Sequence, residues 1–277
     1  SRARAAMPFD LPDKTLAKRP PSAAASWGKA LNYRDFQDKT LRIFQYGARG
    51  IAYYLLQSDP NHVLGTKLFN LYKGLSLSRK AFRSFRSLAD LLTAATKART
   101  IAEKPVAGVL GTLQWVLLSV HIFWDNMFFL THPIVAVIDR PDSPWFNNDA
   151  TNQHQKNWRA MSDTTGLVLA YRSWSSAGRA VATAQAAHRQ AEDSPGALAA
   201  AAAEQSAAAV SAAKDKKREA WWSMLKLLAD VATYFPQCAW MTWTRWSNKH
   251  GYHDGYIGVA GVVAAVCSCR SEWIKMN

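Results

Sequence analysis

Cysteine is scarce in this chain, with only Cys238, Cys267 and Cys269, an odd number placed late. They cannot build a disulfide framework, and their placement fits a reducing or neutral compartment. No second cysteine pair accompanies the C-x-C of Cys267 and Cys269, so these read as small packing residues rather than a zinc site. A glycine-rich phosphate loop, a nucleophile elbow and paired carboxylates at catalytic spacing are also missing, so the sequence does not read as an enzyme. His250, His253 and Asp254 stand close enough to suggest a metal. In a Trp-rich stretch they read as interfacial, and neither metal nor cofactor is expected.

Acid is scarce in one part of the chain. Residues 1–104 hold 19 Lys and Arg against 7 Asp and Glu, whereas residues 105–277 hold 15 against 13. The overall charge of +14 therefore belongs mostly to the first third. Such a field attracts nucleic acid or an anionic membrane by the same Coulomb term. No recognised nucleic-acid module is present, and 12 Trp with 11 Phe suit the water–lipid boundary, where amphipathic rings sit well. Anionic phospholipid and protein are the expected partners, and nucleic acid is not.

Along the chain, three regions separate. Residues 1–31 carry Pro8, Pro12, Pro20 and Pro21 among small and basic residues and read as an extended arm that orders only against a partner. Its Arg- and Ala-rich start looks like the tail of a mitochondrial transit peptide. A basic helical region follows over 32–138. Residues 139–277 form a second helical region with an Ala-rich insertion at about 194–213 and an apolar C-terminal segment at 255–269. Asn32 can cap a first helix, on which Phe36, Thr40, Phe44, Ala48, Ile51 and Leu55 recur at helical spacing until Asp59-Pro60 ends it.

The next segment, from His62 to Ala89, contains no acid. At about 100° per residue, Leu64, Leu68, Leu71, Leu75, Phe82 and Ala89 share one side, Lys73 and Lys80 lie opposite, and Lys67, Arg79, Arg83 and Arg86 flank them. A solvated face normally mixes charge signs. This one does not, so it reads as a helix lying in a membrane interface, apolar side in acyl chains and cations among phosphates. Pro105 to Trp124 is uncharged for long enough to cross a bilayer, or to be a long buried helix of a bundle. A loop rich in turn formers, marked by Pro133 and the stretch from Arg140, should run to about Gln155, followed by helices over 156–191 and about 204–234. In the tail, Gly255, Gly258 and Gly261 sit three apart, which would let another backbone approach closely; a methyl at Gly258 should be tolerated and a bulky side chain should not.

Two of these segments carry a resemblance. Asp38-Lys-Thr-Leu-Arg-Ile-Phe-Gln-Tyr-Gly-Ala-Arg49 is similar to the opening D-K-x-x-R-x-x-Q-Y-G motif of the peroxin-eleven family, the peroxisomal membrane elongation proteins. Leu75-Ser-Leu-Ser-Arg-Lys-Ala-Phe-Arg-Ser-Phe-Arg86 is similar to that family's S-x-x-R-K-x-x-R helix, and Phe123-Trp-Asp-Asn126 and the Gly-rich tail match more loosely. The resemblance spans roughly residues 33–270. It implies an all-α, membrane-associated helical bundle with a basic amphipathic helix and one or two apolar membrane-inserted segments, self-association, and neither catalytic residue nor cofactor. The Pro-rich arm, the Ala-rich insertion and the tryptophan load depart from the family pattern. They lead to a first expectation, a non-catalytic accessory subunit of a large organellar complex, respiratory and in the mitochondrial inner membrane, partnered by its other subunits. The alternative is a self-associating remodelling and elongation factor of the peroxisomal or glycosomal membrane.

Overall fold

Helix α1 (Arg34–Ser58) starts with Asp35 in its first turn and stops where Pro60 removes a backbone donor. Asn61 closes the turn by donating its N–H to Asp59 Oδ1 at 2.9 Å. His62 caps α2 (Val63–Phe82), its Nδ1 accepting from Gly65 N at 3.2 Å. Next come α3 (Arg86–Ala98), α4 (Pro105–Thr131), α5 (Asn148–Glu192), α6 (Ala197–Tyr234) with a 3₁₀ turn at Phe235–Gln237, and α7 (His253–Met276). The structure is a computed structural model that describes residues 34–83, 86–135, 137–138, 142–193, 197–238 and 253–276. Among these residues every regular element is a helix.

Three boundaries differ from the sequence reading. The single helix expected from His62 to Ala89 is two, because the Arg83 N–H turns back to the Lys80 carbonyl at 3.0 Å and ends α2. The leucines on either side of the break share a stripe in sequence but not a partner in space: α2 packs on α1, whereas α3 packs on α4. The loop expected to reach Gln155 ends at Asn147, whose side chain accepts from Ala150 N at 2.7 Å and caps α5. Asn147 supplies the local acceptor that starts a helix, and the polar composition of 148–155 hid it. Similarly, α6 begins at Ala197, earlier than expected, because alanine favours helix without any apolar stripe to announce it. The Pro-rich arm, the proposed Asn32 cap and His250 lie outside the described residues.

The helices close a ring. Helix α1 packs against α2 and α7, α7 against α6, α6 against α5, α5 against α4, and a narrow contact between α4 and α2 completes the circuit, with α3 outside against α4. At about 1.5 Å per residue, the 45 residues of α5 and 38 of α6 run roughly 68 and 57 Å, well beyond the roughly 40 Å of the 27-residue α4. Their outer halves pack on each other as an alanine-rich antiparallel hairpin with Val181 and Val210 buried.

Candidate functional site

The inside of this ring is charged. On α1, Asp38, Arg42, Gln45, Tyr46 and Arg49 fall at three- and four-residue steps and so share one face, which is turned inward. Arg42 pairs with Asp230 of α6, which also lies 3.7 Å from Arg159 and 3.5 Å from Lys226. Tyr46 donates to the Tyr234 hydroxyl at 3.3 Å, and Arg49 to Asp254 of α7 at 2.5 Å. From α2, Arg79 donates to Asp38 at 2.8 Å and to Gln45 at 2.5 Å. Lys80 pairs with Asp125 of α4 and donates to Gln155 of α5 at 2.7 Å.

These pairs are what make the burial tolerable, since an isolated charge in such a place costs several kcal/mol. Burial alone would raise the Asp230 carboxyl, but Arg42, Lys226 and Arg159 outweigh it and hold it well below the usual carboxylate range. Burial likewise opposes the charge on Asp38, and the Arg79 bond reverses that. At Lys80 burial wins, and its ammonium is lowered despite Asp125. Asp163 is raised to about 6, because burial and the neighbouring Asp230 outweigh Arg159.

The charged ring encloses a cavity of about 350 Å³, lined by all six of its helices. Around it lie Arg49, Lys80, Arg83, Lys156, Asp125 and the rings of Phe69, Tyr72 and Phe128. Lys156 stands apart. Its ammonium makes no hydrogen bond or ion pair among the described residues, and burial together with Arg49 and Lys80 lowers it to about 8.

The outside is apolar. Helix α4 turns Val106, Val109, Leu113, Val116 and Phe123 outward, one stripe at helical spacing. Helix α7 does the same with Tyr256, Val259, Val263, Val266 and Ile274. Phe44, Ile51 and Tyr54 on α1, and Leu88, Leu91 and Leu92 on α3, extend this surface. Among the described residues, by contrast, the buried large apolar side chains are few: Phe36, Tyr46, Leu117, Ile122, Val181, Val210 and Ile257. A soluble bundle distributes its polarity the other way round.

The expected lipid-facing residues divide accordingly. Lys67, Leu71 and Lys73 are exposed, and Leu68 and Leu75 are half-buried on the same helix. Arg79 and Lys80 are not on the outward face, because Asp38, Gln45, Asp125 and Gln155 hold them inside. Arg83 is half-buried, 3.6 Å from Asp125, and Arg86 sits on α3, 3.9 Å from Asp90. Of Phe82 the structure describes the backbone alone.

The three tail glycines lie on the face of α7 that meets α1. A Cβ on Gly258 would stand 2.6 Å from Gly50 Cα and 3.1 Å from the Tyr46 carbonyl, one on Gly255 would stand 2.6 Å from the Tyr53 ring, and one on Gly261 would overlap the Tyr46 ring. The tolerance expected for alanine at Gly258 is therefore corrected, since its Cβ alone meets immovable backbone. The sequence reading passed over Asp230, Arg159, Asp163 and Lys156. A lone acid within an apolar stripe, as Asp230 is between Leu227-Leu228-Ala229 and Val231, was the available signal.

A helical bundle with charges inside and apolar faces outside, two of whose helices (Pro105–Thr131 and Asp254–Lys275) are long and apolar enough to cross a bilayer, is a membrane-associated protein. The sequence model of Peroxisomal biogenesis factor 11 (PEX11) matches residues 24–273, nearly the whole chain, and the chain belongs to that family. No curated protein and no solved structure matches it.

Proposed function

We propose that this protein is a non-catalytic remodelling and elongation factor of the peroxisomal membrane. The observation that carries the reading is the outward apolar faces of α1 and α7 and of α3 and α4 around a charge-paired interior, in a chain of this family. Acyl chains cover that surface. Helix α2 supports the interfacial part of the reading, since Lys67, Leu71 and Lys73 are all exposed on it. A bundle wedged among lipids in this way increases the area of one leaflet over the other, which bends and lengthens a membrane. Self-association in the bilayer would concentrate that effect.

Neither the fold nor the comparisons support the respiratory-subunit reading. Its main argument, an arm ordered by neighbours, falls on residues outside those described.

The test uses the full chain in detergent, reconstituted with vesicles of zwitterionic lipid with and without an anionic component. We expect association to need the anionic lipid and to fall with salt, because each Lys or Arg near the surface contributes about 1 kcal/mol within a Debye length of about 10 Å at 0.1 M. Electron microscopy should show tubules. The double variant Lys67→Glu, Lys73→Glu should bind about tenfold more weakly or worse. Failure of the natural chain to deform anionic vesicles at low salt would overturn the proposal, and co-migration with respiratory complexes after gentle extraction would restore the alternative.

A further inference from the structure

We propose that the charged cavity inside the helix ring is a binding site for a phosphate group. This inference goes beyond membrane remodelling and does not depend on it. The balance of charge carries the argument. Among the described residues, six cations line the cavity, Arg49, Lys73, Arg79, Lys80, Arg83 and Lys156, against two carboxylates, Asp125 and Asp254. Asp38 stands behind Arg79 and accounts for it, as Asp125 accounts for Lys80 and Asp254 for Arg49. Among the described residues, three positive charges then remain without a carboxylate of their own.

Each is placed to meet a ligand. Arg83 donates to the Arg79 carbonyl at 3.1 Å and lies 3.6 Å from the already paired Asp125, so its fork is not saturated. Lys73 rests its ammonium 4.5 Å from the Phe69 ring centre. Lys156 makes no hydrogen bond or ion pair among the described residues. A folding requirement alone would not keep such a lysine, because a desolvated cation without a partner destabilises the bundle around it. An anion entering the cavity supplies the missing counter-charge.

The class of anion follows from the number and type of donors. Several converging cations, guanidinium among them, match the spread charge and multiple acceptor oxygens of a phosphate better than the single charge of chloride or a carboxylate. The volume of about 350 Å³ exceeds that of a bare phosphate and falls in the range of small-molecule sites. Phe69, Tyr72 and Phe128 give the organic part of a phosphate ester apolar walls to lie against. The group can come from a soluble phosphate monoester or from a phospholipid head group.

The experiment is titration calorimetry on the full chain in a detergent without phosphate, with inorganic phosphate and glycerol 3-phosphate as soluble probes and chloride at matched ionic strength as control. Mass spectrometry of the purified protein reads any phospholipid carried with it. Saturable heat from the soluble probes with no lipid bound supports the site and assigns it to soluble esters. Co-purified phospholipid that Lys156→Gln loses supports it and assigns it to a head group.

Lys156→Gln and Arg83→Gln should each weaken binding at least tenfold, whereas Arg179→Gln, exposed on the α5–α6 hairpin, should leave it unchanged. Lys156→Gln should also raise the unliganded melting temperature, which separates loss of the site from loss of the fold. No saturable heat together with no bound phospholipid, or natural affinity in Lys156→Gln, would overturn the proposal.

Discussion

Helices α1 and α7 approach each other closely at Gly258. A Cβ there would meet the Gly50 backbone at 2.6 Å, whereas a Cβ on Gly50 would find Gly258 at an ordinary 3.6 Å. The contact is therefore unequal. We expect Gly258→Ala to destabilise by ~1–3 kcal/mol as α7 is pushed off α1. Gly50→Ala should be neutral or mildly stabilising, because alanine is worth about 1 kcal/mol over glycine inside a helix. Thermal unfolding in detergent compares the two, and equal melting temperatures would mean that α1 and α7 do not meet at this point.

Asp163 makes a second prediction at the same scale. Its folded-state pKa, about 6, lies above the unfolded value near 4, so between those limits the folded chain holds a proton that the unfolded chain has lost. Its contribution to stability accordingly falls as pH rises from about 4 to 6 and is level above that. Asp163→Asn, which mimics the protonated acid, should flatten the melting profile over this window. A profile in the variant as steep as in the natural protein would assign the dependence to another group.

At the scale of the element, α2 carries cations in two different environments. Lys80 is buried against Asp125 inside the ring, whereas Lys73 stands exposed at the mouth of the cavity, and Leu64 and Leu71 are exposed on the same helix as Lys67. Reversing the charges of Lys73 and Lys80 should therefore have different consequences. Lys73→Glu should leave the fold intact and weaken attachment to anionic vesicles, while Lys80→Glu sets a second acid against Asp125 and should unfold the bundle. A helical period cannot separate them. The acids that claim Arg79 and Lys80 lie on α1 and α4, 41 and 45 residues away in sequence. The same reason explains the break at Arg83: α3 turns to reach α4, a partner that the local stripe does not name.

For the whole molecule, the distribution of polarity decides the environment. Exposed positions on α4 and α7 should accept a charge without harm to the fold in detergent and yet lose their hold on lipid. Val263→Lys places a cation on the outer face of α7 at a cost of roughly 2.5–3.5 kcal/mol at the centre of a bilayer helix. We expect the variant to melt normally in detergent and to be released from membranes by alkaline carbonate more readily than the natural chain. If Val263→Lys unfolds in detergent, that face of α7 packs on protein rather than lipid.

Caps, prolines, periodicity and motifs are local properties of the chain, so the helical class, the C-terminal ends of α1, α5 and α6, the two apolar segments, the packing face of Gly255, Gly258 and Gly261, and the family were legible in the sequence. The sequence also marked the lysines and arginines as important without showing whether they face lipid or carboxylate. The tertiary structure decided that. Only when α1, α2, α4, α5, α6 and α7 close into a ring do Asp38, Asp125, Asp230 and Asp254 meet their cations, and only then does Lys156 emerge with no carboxylate paired to it among the described residues. Charge pairing acts across space over a few ångströms, so the pattern of charges along the chain fixes how many there are, and the fold fixes which of them remain free.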